Sequence, residues 1–452
     1  MIEIWLERIL AFGLFWGIWL MVPLLVDVST AMVYFISFLS NRKQKVEKKE
    51  ELFFFPYVTV IIPVHNSADT LGHCLDSIAR QTYPRESIQV ICVNNGSEDE
   101  SFDIFQRFQY RHPEMSVMWS SLERAGKSIA LNAGVYSGHG SYMMNVDSDT
   151  WLDPDAILNV VRVFEKDPSL AAATGSIRVD KKLGEGSSFI DMINYCEVIE
   201  YIVAFDIGRR YQDLKNSIFT LSGAFSVFRR DIILQTFLYQ TRTVSEDTDL
   251  TFNIRQAIEA GEGRIGFISD AIAYVEPIEN LSRLYSQRLR WQRGEMEVTG
   301  LYYEKIPGIF GALFDFVGRI LISDHTLTFS RLAWTFLLPF LFFLGYPLPT
   351  IVVAMIGMYI CYIILESCTF YIAYKGSAPE FQKELQKIWW IILFMPIYRY
   401  LVYWFRLAGI IAALTEEKSW KTQNPVLQLQ SILQAYAGEL KEEISKRRQV
   451  NS

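Results

Sequence analysis

The sequence predicts an α/β domain of aqueous character set between helical membrane segments, and three observations predict it. Apolar residues gather at 9–39 and 329–414, leaving a middle of ordinary soluble composition. From Val58 onward, short apolar runs alternate with stretches of helical period. Polar and acidic motifs recur at the ends of those runs. Short buried strands alternating with helices argue for a mainly parallel sheet covered on both faces.

The 452 residues are enough for two or three domains, and half of them are hydrophobic. A net charge of −7 gives no support to nucleic-acid binding. The five cysteines show neither a CxxC nor a zinc spacing, and the five histidines stand singly. A disulfide framework and a histidine metal cluster are both unexpected, as in a reducing cytosolic domain.

The stretch from Ile9 to Leu39 is too long for a signal-peptide core and lacks a basic leader, so residues 1–40 read as an uncleaved transmembrane anchor. The basic linker 41–55 follows, and its Arg42, Lys43, Lys45, Lys48 and Lys49 place this flank in the cytoplasm. Strands are expected at Val58–Val64, Ile88–Val93, Val117–Ser120 and Tyr142–Val146. Helices are expected at Thr70–Gln81, Ser101–Tyr110, Ser128–Ser137 and Asp155–Glu165. Further on, Phe189–Phe205 and Glu246–Ala260 read as helices. Residues 299–328 are apolar but interrupted by Glu304, Lys305, Pro307, Asp315 and Arg319, a pattern for amphipathic interfacial helices. Membrane segments are expected at 329–345, 349–374 and 388–414, followed by a charged tail at 415–452 that reads as cytoplasmic, or as external if all three segments span.

Ligands of parallel sheets bind beyond the carboxyl ends of strands, where Asn94-Asn95 and Asp147-Ser148-Asp149 fall. Two carboxylates spaced by one residue can face a divalent cation that also carries phosphate oxygens, so Asp147 and Asp149 are candidate ligands for Mg2+ or Mn2+. Gly126-Lys127-Ser128 fails the Walker pattern because Ser121 stands where glycine is required. Lys127, just before a helix start, still suits a substrate phosphate. Glu246-Asp247 reads either as an acidic helix start or as the source of a general base. Ser222-Gly223-Ala224-Phe225 reads either as a packed turn or as a loop that lets Phe225 stack on a sugar. Gln287-Arg288-Leu289-Arg290-Trp291 combines arginines suited to phosphate with an aromatic suited to a sugar ring.

Taken in order, these motifs resemble the family 2 glycosyltransferases in their processive membrane branch, to which hyaluronan, chitin, cellulose and poly-N-acetylglucosamine synthases belong. The bacterial poly-N-acetylglucosamine synthase type is similar in size, and a glycosyltransferase type associated with Gram-positive exosortase systems is also similar. The resemblance implies a GT-A (nucleotide-diphospho-sugar transferase, Rossmann-like) domain over residues 56–298. It implies that Pro63, His65, Asn66 and Asn95 hold the nucleoside of a UDP-sugar, with Lys127 and Asp147 near its diphosphate. Asp149 and Asp147 would hold the metal, and Asp247, beside Glu246, would be the base. Gln287, Arg290 and Trp291 would bind the diphosphate and the acceptor end. Asn94-Asn95 departs from the family's acidic pair and removes negative charge near the nucleotide. Trp420-Lys421-Thr422 faintly resembles a tail motif that contacts the nucleotide.

The implied activity is inverting transfer from a UDP-sugar to a growing β-linked polysaccharide, coupled to export by a multi-pass protein of the cell membrane whose catalytic domain is cytoplasmic. The partners are the donor, a glycan or lipid-linked acceptor and the bilayer, with room for an accessory membrane subunit and none for nucleic acid. Two rivals stand beside it: synthesis of a lipid-linked sugar without polymerisation, and a catalytically silent membrane scaffold.

Overall fold

The computed structural model describes residues 52–123, 125–259, 263–303 and 339–415, with five separate positions in the N-terminal segment. Most of the predicted anchor and linker, the interfacial segment beyond Tyr303 and the charged tail with Trp420-Lys421-Thr422 lie outside the described residues.

The first half of the domain follows the expected alternation. Strand β1 (Val58–Val64) leads to α1 (Leu71–Ala79), β2 (Ile88–Asn94) to α2 (Ser101–Arg111), and β3 (Ser116–Ser121) to α3 (Lys127–Ser137). Strand β4 (Tyr142–Val146) is followed by the short β5 (Thr150–Leu152) and α4 (Ala156–Lys166). Every residue of β1 and β4 is buried, as continuous apolar runs in a doubly covered sheet require. β1 pairs in parallel with both β2 and β4, and β2 with β3.

The second half departs from a simple parallel sheet. Strands β6 (Leu170–Val179), β7 (Phe225–Arg229) and β8 (Arg264–Val275) complete one eight-stranded sheet among the described residues, in the order β3-β2-β1-β4-β7-β6-β8-β5. β7 runs antiparallel to β4 and to β6, and β5 runs antiparallel to β8. The sheet is therefore mixed, and β7 joins its two parallel portions. None of these three longer strands was expected. Leu170-Ala171-Ala172-Ala173-Thr174-Gly175 is rich in small residues, so it lacks the β-branched signature of a buried strand. The tertiary cause is close approach: a Cβ on Gly175 would lie 2.3 Å from Phe225 Cδ1 and 2.5 Å from the Ala271 carbonyl oxygen. β8 carries the charged Asp270, and its pairing with β6 shifts register beside Gly175.

Helix α5 (Phe189–Ile202) starts with a capping box in which Ser188 and Asp191 bond each other's backbone N–H groups. It runs through a π turn (Val203–Ile207) into α6 (Gly208–Leu214), and α7 (Glu246–Glu259) and α8 (Leu281–Tyr303) follow. Beyond the sheet come α9 (Leu348–Gly376), the amphipathic α10 (Pro379–Lys387) and, after a 3-10 turn (Trp389–Leu393), α11 (Met395–Thr415). By length and composition α9 and α11 could each cross a membrane. They coincide with two of the three predicted C-terminal segments, except that 388–414 begins as the 3-10 turn. The predicted segment at 329–345 lies largely outside the described residues.

Gly175→Ala should be strongly destabilising, by about 1–3 kcal/mol from overpacking. A clearly lowered thermal midpoint in detergent is expected, and an unchanged midpoint would show that β6 and Phe225 can part without cost.

Candidate active site

The carboxyl ends of β1, β2 and β4 deliver three polar loops to one sheet edge. Pro63 is buried in β1 opposite Val93, while His65 and Asn66 emerge beyond the strand. His65 Nδ1 lies 3.0 Å from the Asn95 carbonyl oxygen. Asn66 Oδ1 accepts from the Glu98 amide at 2.9 Å, and the Asn66 amide donates to Ser97 Oγ. Asn66 itself adopts a positive φ of 49°, a conformation asparagine tolerates well. Asn94 Oδ1 accepts from the Ser97 amide at 2.8 Å and so caps its own turn. Asn95 Oδ1 accepts from the amide of Gly126. The two asparagines thus hold backbone, and Asn95 fixes the residue immediately before Lys127.

Lys127 opens α3 and reaches across the edge. Its Nζ lies 2.8 Å from Asp147 Oδ1 and 3.4 Å from Glu246 Oε1. The Gly223 amide donates to Asp247 Oδ2 at 3.1 Å, and the Gly223 carbonyl accepts from Asn145 Nδ2 at 2.6 Å. A Cβ on Gly223 would stand 3.4 Å from Asp247 Oδ2, 3.5 Å from Lys127 Nζ and 3.8 Å from Asp147 Oδ2. Residues from three distant segments therefore converge on a glycine whose missing side chain leaves room between them. The sequence signal for Gly223 was the small-residue run Ser222-Gly223-Ala224, and Asn145 had no signal of its own. Phe225 does not face the site: it is fully buried in β7, and the sugar-stacking alternative for it falls because Gly175 opens space for its ring in the core.

Charge sets the protonation of this cluster. Burial disfavours the Lys127 ammonium, but Asp147 and Glu246 outweigh it and raise its pKa above the ordinary value. Burial pushes Asp147 up to about 6, with Lys127 opposing and Asp149 reinforcing. Burial also pushes Asp247 up to about 6, with Glu246 adding and Lys127 opposing. Asp249, the third acid of the run, is not part of the cluster. It is fully buried and bound by Arg242 at 2.6 and 2.8 Å, a structural pair.

Helix α8 supports the segment that leads into Glu246 and Asp247 at the start of α7. Arg293, fully buried, donates to Glu297 Oε1 at 2.8 Å, and Glu297 Oε2 accepts from the Val244 amide at 2.9 Å. A Cβ on Gly294 would lie only 1.9 Å from Ser245 Oγ. Gln287, Trp291 and Gly294 fall on one face of the helix at spacings of four and three. Trp291 sits one turn before the glycine that touches the acidic loop. Its ring packs on Tyr201 and Phe205 at centroid distances of 6.3 and 5.8 Å, and Gln287 Nε2 approaches the Tyr201 hydroxyl at 3.5 Å. Arg290 is half-buried on the same helix. Arg288 is not a phosphate-facing arginine: its side chain is buried and its Nη2 donates to Glu200 at 2.7 Å.

No group of three or more histidine, cysteine, aspartate or glutamate side chains forms a metal cage among the described residues. Asp147 and Asp149 flank one turn, closed by the Thr150 amide donating to the Asp147 carbonyl at 3.0 Å. Two carboxylates leave most of an oxygen coordination sphere to water and substrate phosphate, which suits magnesium or manganese.

The mixed sheet, with this cluster at its edge, defines a GT-A glycosyltransferase domain. Residues 59–237 match the model of glycosyl transferase family 2, and the chain carries a domain of that family. It is 28% identical over 242 residues to a poly-beta-1,6-N-acetyl-D-glucosamine synthase of Staphylococcus epidermidis, covering 53% of this chain and 55% of that one. The synthase of the same name from Staphylococcus aureus (strain MSSA476) is 27% identical over 241 residues, with the same coverage. The chain thus spans about half the length of the curated relatives it matches. Among solved structures, a mannosyltransferase from Pyrobaculum calidifontis in complex with GDP-Man and Mn2+ superposes with a TM-score of 0.57 at 15% identity. That match covers 88% of this chain and 99% of that one, and it shows the shared fold.

Gly294→Ala should displace Ser245 and lower stability by about 1–3 kcal/mol. A thermal midpoint equal to that of the unaltered protein would show that α8 does not brace the acidic loop.

Proposed function

We propose that this chain is a membrane-embedded, inverting glycosyltransferase that moves a sugar from a UDP-sugar to a growing β-linked glycan, with its catalytic domain in the cytoplasm. The observation that carries the reading is the convergence of Lys127, Asp147, Glu246 and Asp247 around Gly223. The similarity to poly-beta-1,6-N-acetyl-D-glucosamine synthases makes an N-acetylhexosamine donor the first to test. The apolar helices α9 and α11 support the membrane placement.

In this reading Asp247, buried and held by the Gly223 amide, takes the proton from the acceptor hydroxyl. Glu246 keeps Lys127 at the centre of the cluster, and Lys127 lends positive charge where the leaving diphosphate gains negative charge. Arg290 adds a second cation from α8. Trp291, with Gln287, holds the acceptor sugar in attacking position. Asp149 and Asp147 would hold a divalent cation, which when bound supplies further charge neutralisation to the diphosphate. His65, Asn66 and Asn95 form the loop pair that receives the nucleoside, and buried Pro63 holds its strand.

Three measurements test this reading on the full chain in lipid. The first is product analysis with a panel of radiolabelled UDP-sugars and Mg2+ or Mn2+. A high-mass product is expected. A small lipid-soluble product would replace polymer synthesis by lipid-acceptor transfer, and no turnover with any donor would reject the reading. In the same assay, replacing the divalent cation by EDTA should abolish turnover, and full activity in EDTA would reject a metal at Asp147 and Asp149. The second is Asp247→Asn, which should lower transfer by about 10²–10⁴-fold, and wild-type rates in this variant would remove it as the base. The third is a pH profile. Only the ionised carboxylate can accept a proton, so with Asp247 pushed up to about 6 the rate should rise between pH 5 and 7. A flat profile over that range would assign the proton transfer elsewhere.

A further inference from the structure

Arg288 is a buried charge that the proposed chemistry does not use. Its guanidinium lies over the Trp291 ring, 4.5 Å from the centroid, and so occupies one face of the indole. The same group donates to Glu200 at 2.7 Å and to the Tyr398 hydroxyl at 3.3 Å, with Glu197 at 3.8 Å. Tyr398 in turn donates to Glu200 Oε2 at 2.6 Å. Glu197, Arg288 and Tyr398 are all nearly inaccessible to solvent. Burial pushes Glu197 up to about 7, with Glu200 adding and Arg288 opposing, so the cation does not face two full negative charges at neutral pH.

These contacts join three helices. Glu197 and Glu200 lie on α5, Arg288 and Trp291 on α8, and Tyr398 on α11, one of the two helices apolar enough to span a membrane. The next residue of α11, Arg399, pairs with Glu366 of α9, its Nη2 donating to Glu366 Oε2 at 3.1 Å. A cation over a desolvated indole is attracted to the ring face, and a guanidinium fixed by two further partners has little freedom to leave it. The ring is therefore backed on one face, with its partly exposed remainder available to a sugar.

We propose that Arg288 is a positioning residue for acceptor binding: locked by Glu200 and Tyr398, it holds the Trp291 ring in the orientation that stacks on the acceptor sugar and ties that orientation to α11. The inference rests on the glycosyl-transfer reading above, and it concerns the acceptor alone.

The test uses the full chain in lipid, the UDP-sugar that the wild type turns over in the donor panel, and the isolated product glycan of that reaction as acceptor. The double variant Arg288→Met/Glu200→Gln removes both partners of the main ion pair, so neither charge is left buried alone. Its acceptor KM should rise by about tenfold, while donor KM and donor hydrolysis by water stay within about twofold. Arg288→Lys, which keeps the charge but loses the planar stack, should show the same acceptor defect. Glu366→Gln/Arg399→Met removes a comparable ion pair of α9 and α11 and should leave acceptor KM unchanged. A wild-type acceptor KM in the Arg288→Met/Glu200→Gln protein would overturn the inference while leaving the transfer reading intact. An equal rise in the Glu366→Gln/Arg399→Met protein would reduce Arg288 to general support of the helices and overturn it too. A wild type that transfers from no donor would defeat the glycosyl-transfer reading, and the inference with it.

Discussion

The site is organised by the need to keep Lys127 charged in a place where burial opposes its charge. An ammonium removed from water needs carboxylates within a few ångströms, and here Asp147 and Glu246 supply them. Those carboxylates repel each other and Asp247, so the cation also makes the acidic cluster tolerable. Each side needs the other. Much of the architecture answers this requirement: β4 brings Asp147 to the sheet edge, α3 brings Lys127, and the first turn of α7 brings Glu246 and Asp247.

Backbone groups then fix the positions that charge alone would leave loose. Asn95 grips Gly126, the Gly223 amide holds Asp247, and Asn145 holds the Gly223 carbonyl. Helix α8 acts from the other side through Glu297 and the close approach of Gly294 to Ser245. The same helix packs against α11, where Gly409 allows contact with Leu289 and Arg406 donates to Gln292 at 2.5 Å. One helix thus connects the acidic loop, the aromatic cluster around Trp291 and a helix apolar enough for a bilayer. A repositioning of α11 would be felt at Trp291 through Tyr398 and Arg288, because buried charged contacts are costly to break one partner at a time.

Much of this was legible in the residues. The apolar runs of β1, β2 and β4 mark buried strands, and the motifs at their ends lie at the sheet edge where they were expected. Lys127, Asp147, Glu246 and Asp247 were each singled out, and the structure brings them together. The misreadings have a common cause. Phe225 and Arg288 look like ligand-binding side chains in a polar motif, yet both are buried, Phe225 against Gly175 and Arg288 against Glu200. Exposure is a property of the packed chain, and a motif does not carry it.

Local pattern, then, determined the first strands and helices, the apolar C-terminal helices and the types of residue available for chemistry, because periodicity and side-chain chemistry are properties of neighbouring residues. Tertiary structure alone decided the rest. β6 is a strand because β7 and β8 flank it, although its alanines and Gly175 carry no strand signature. Gly223 is the centre of the site because segments some eighty and a hundred residues upstream of it, at Asp147 and Lys127, meet Asp247 there. Such meetings depend on the order of strands in the sheet, and that order is set by the packing of the whole domain.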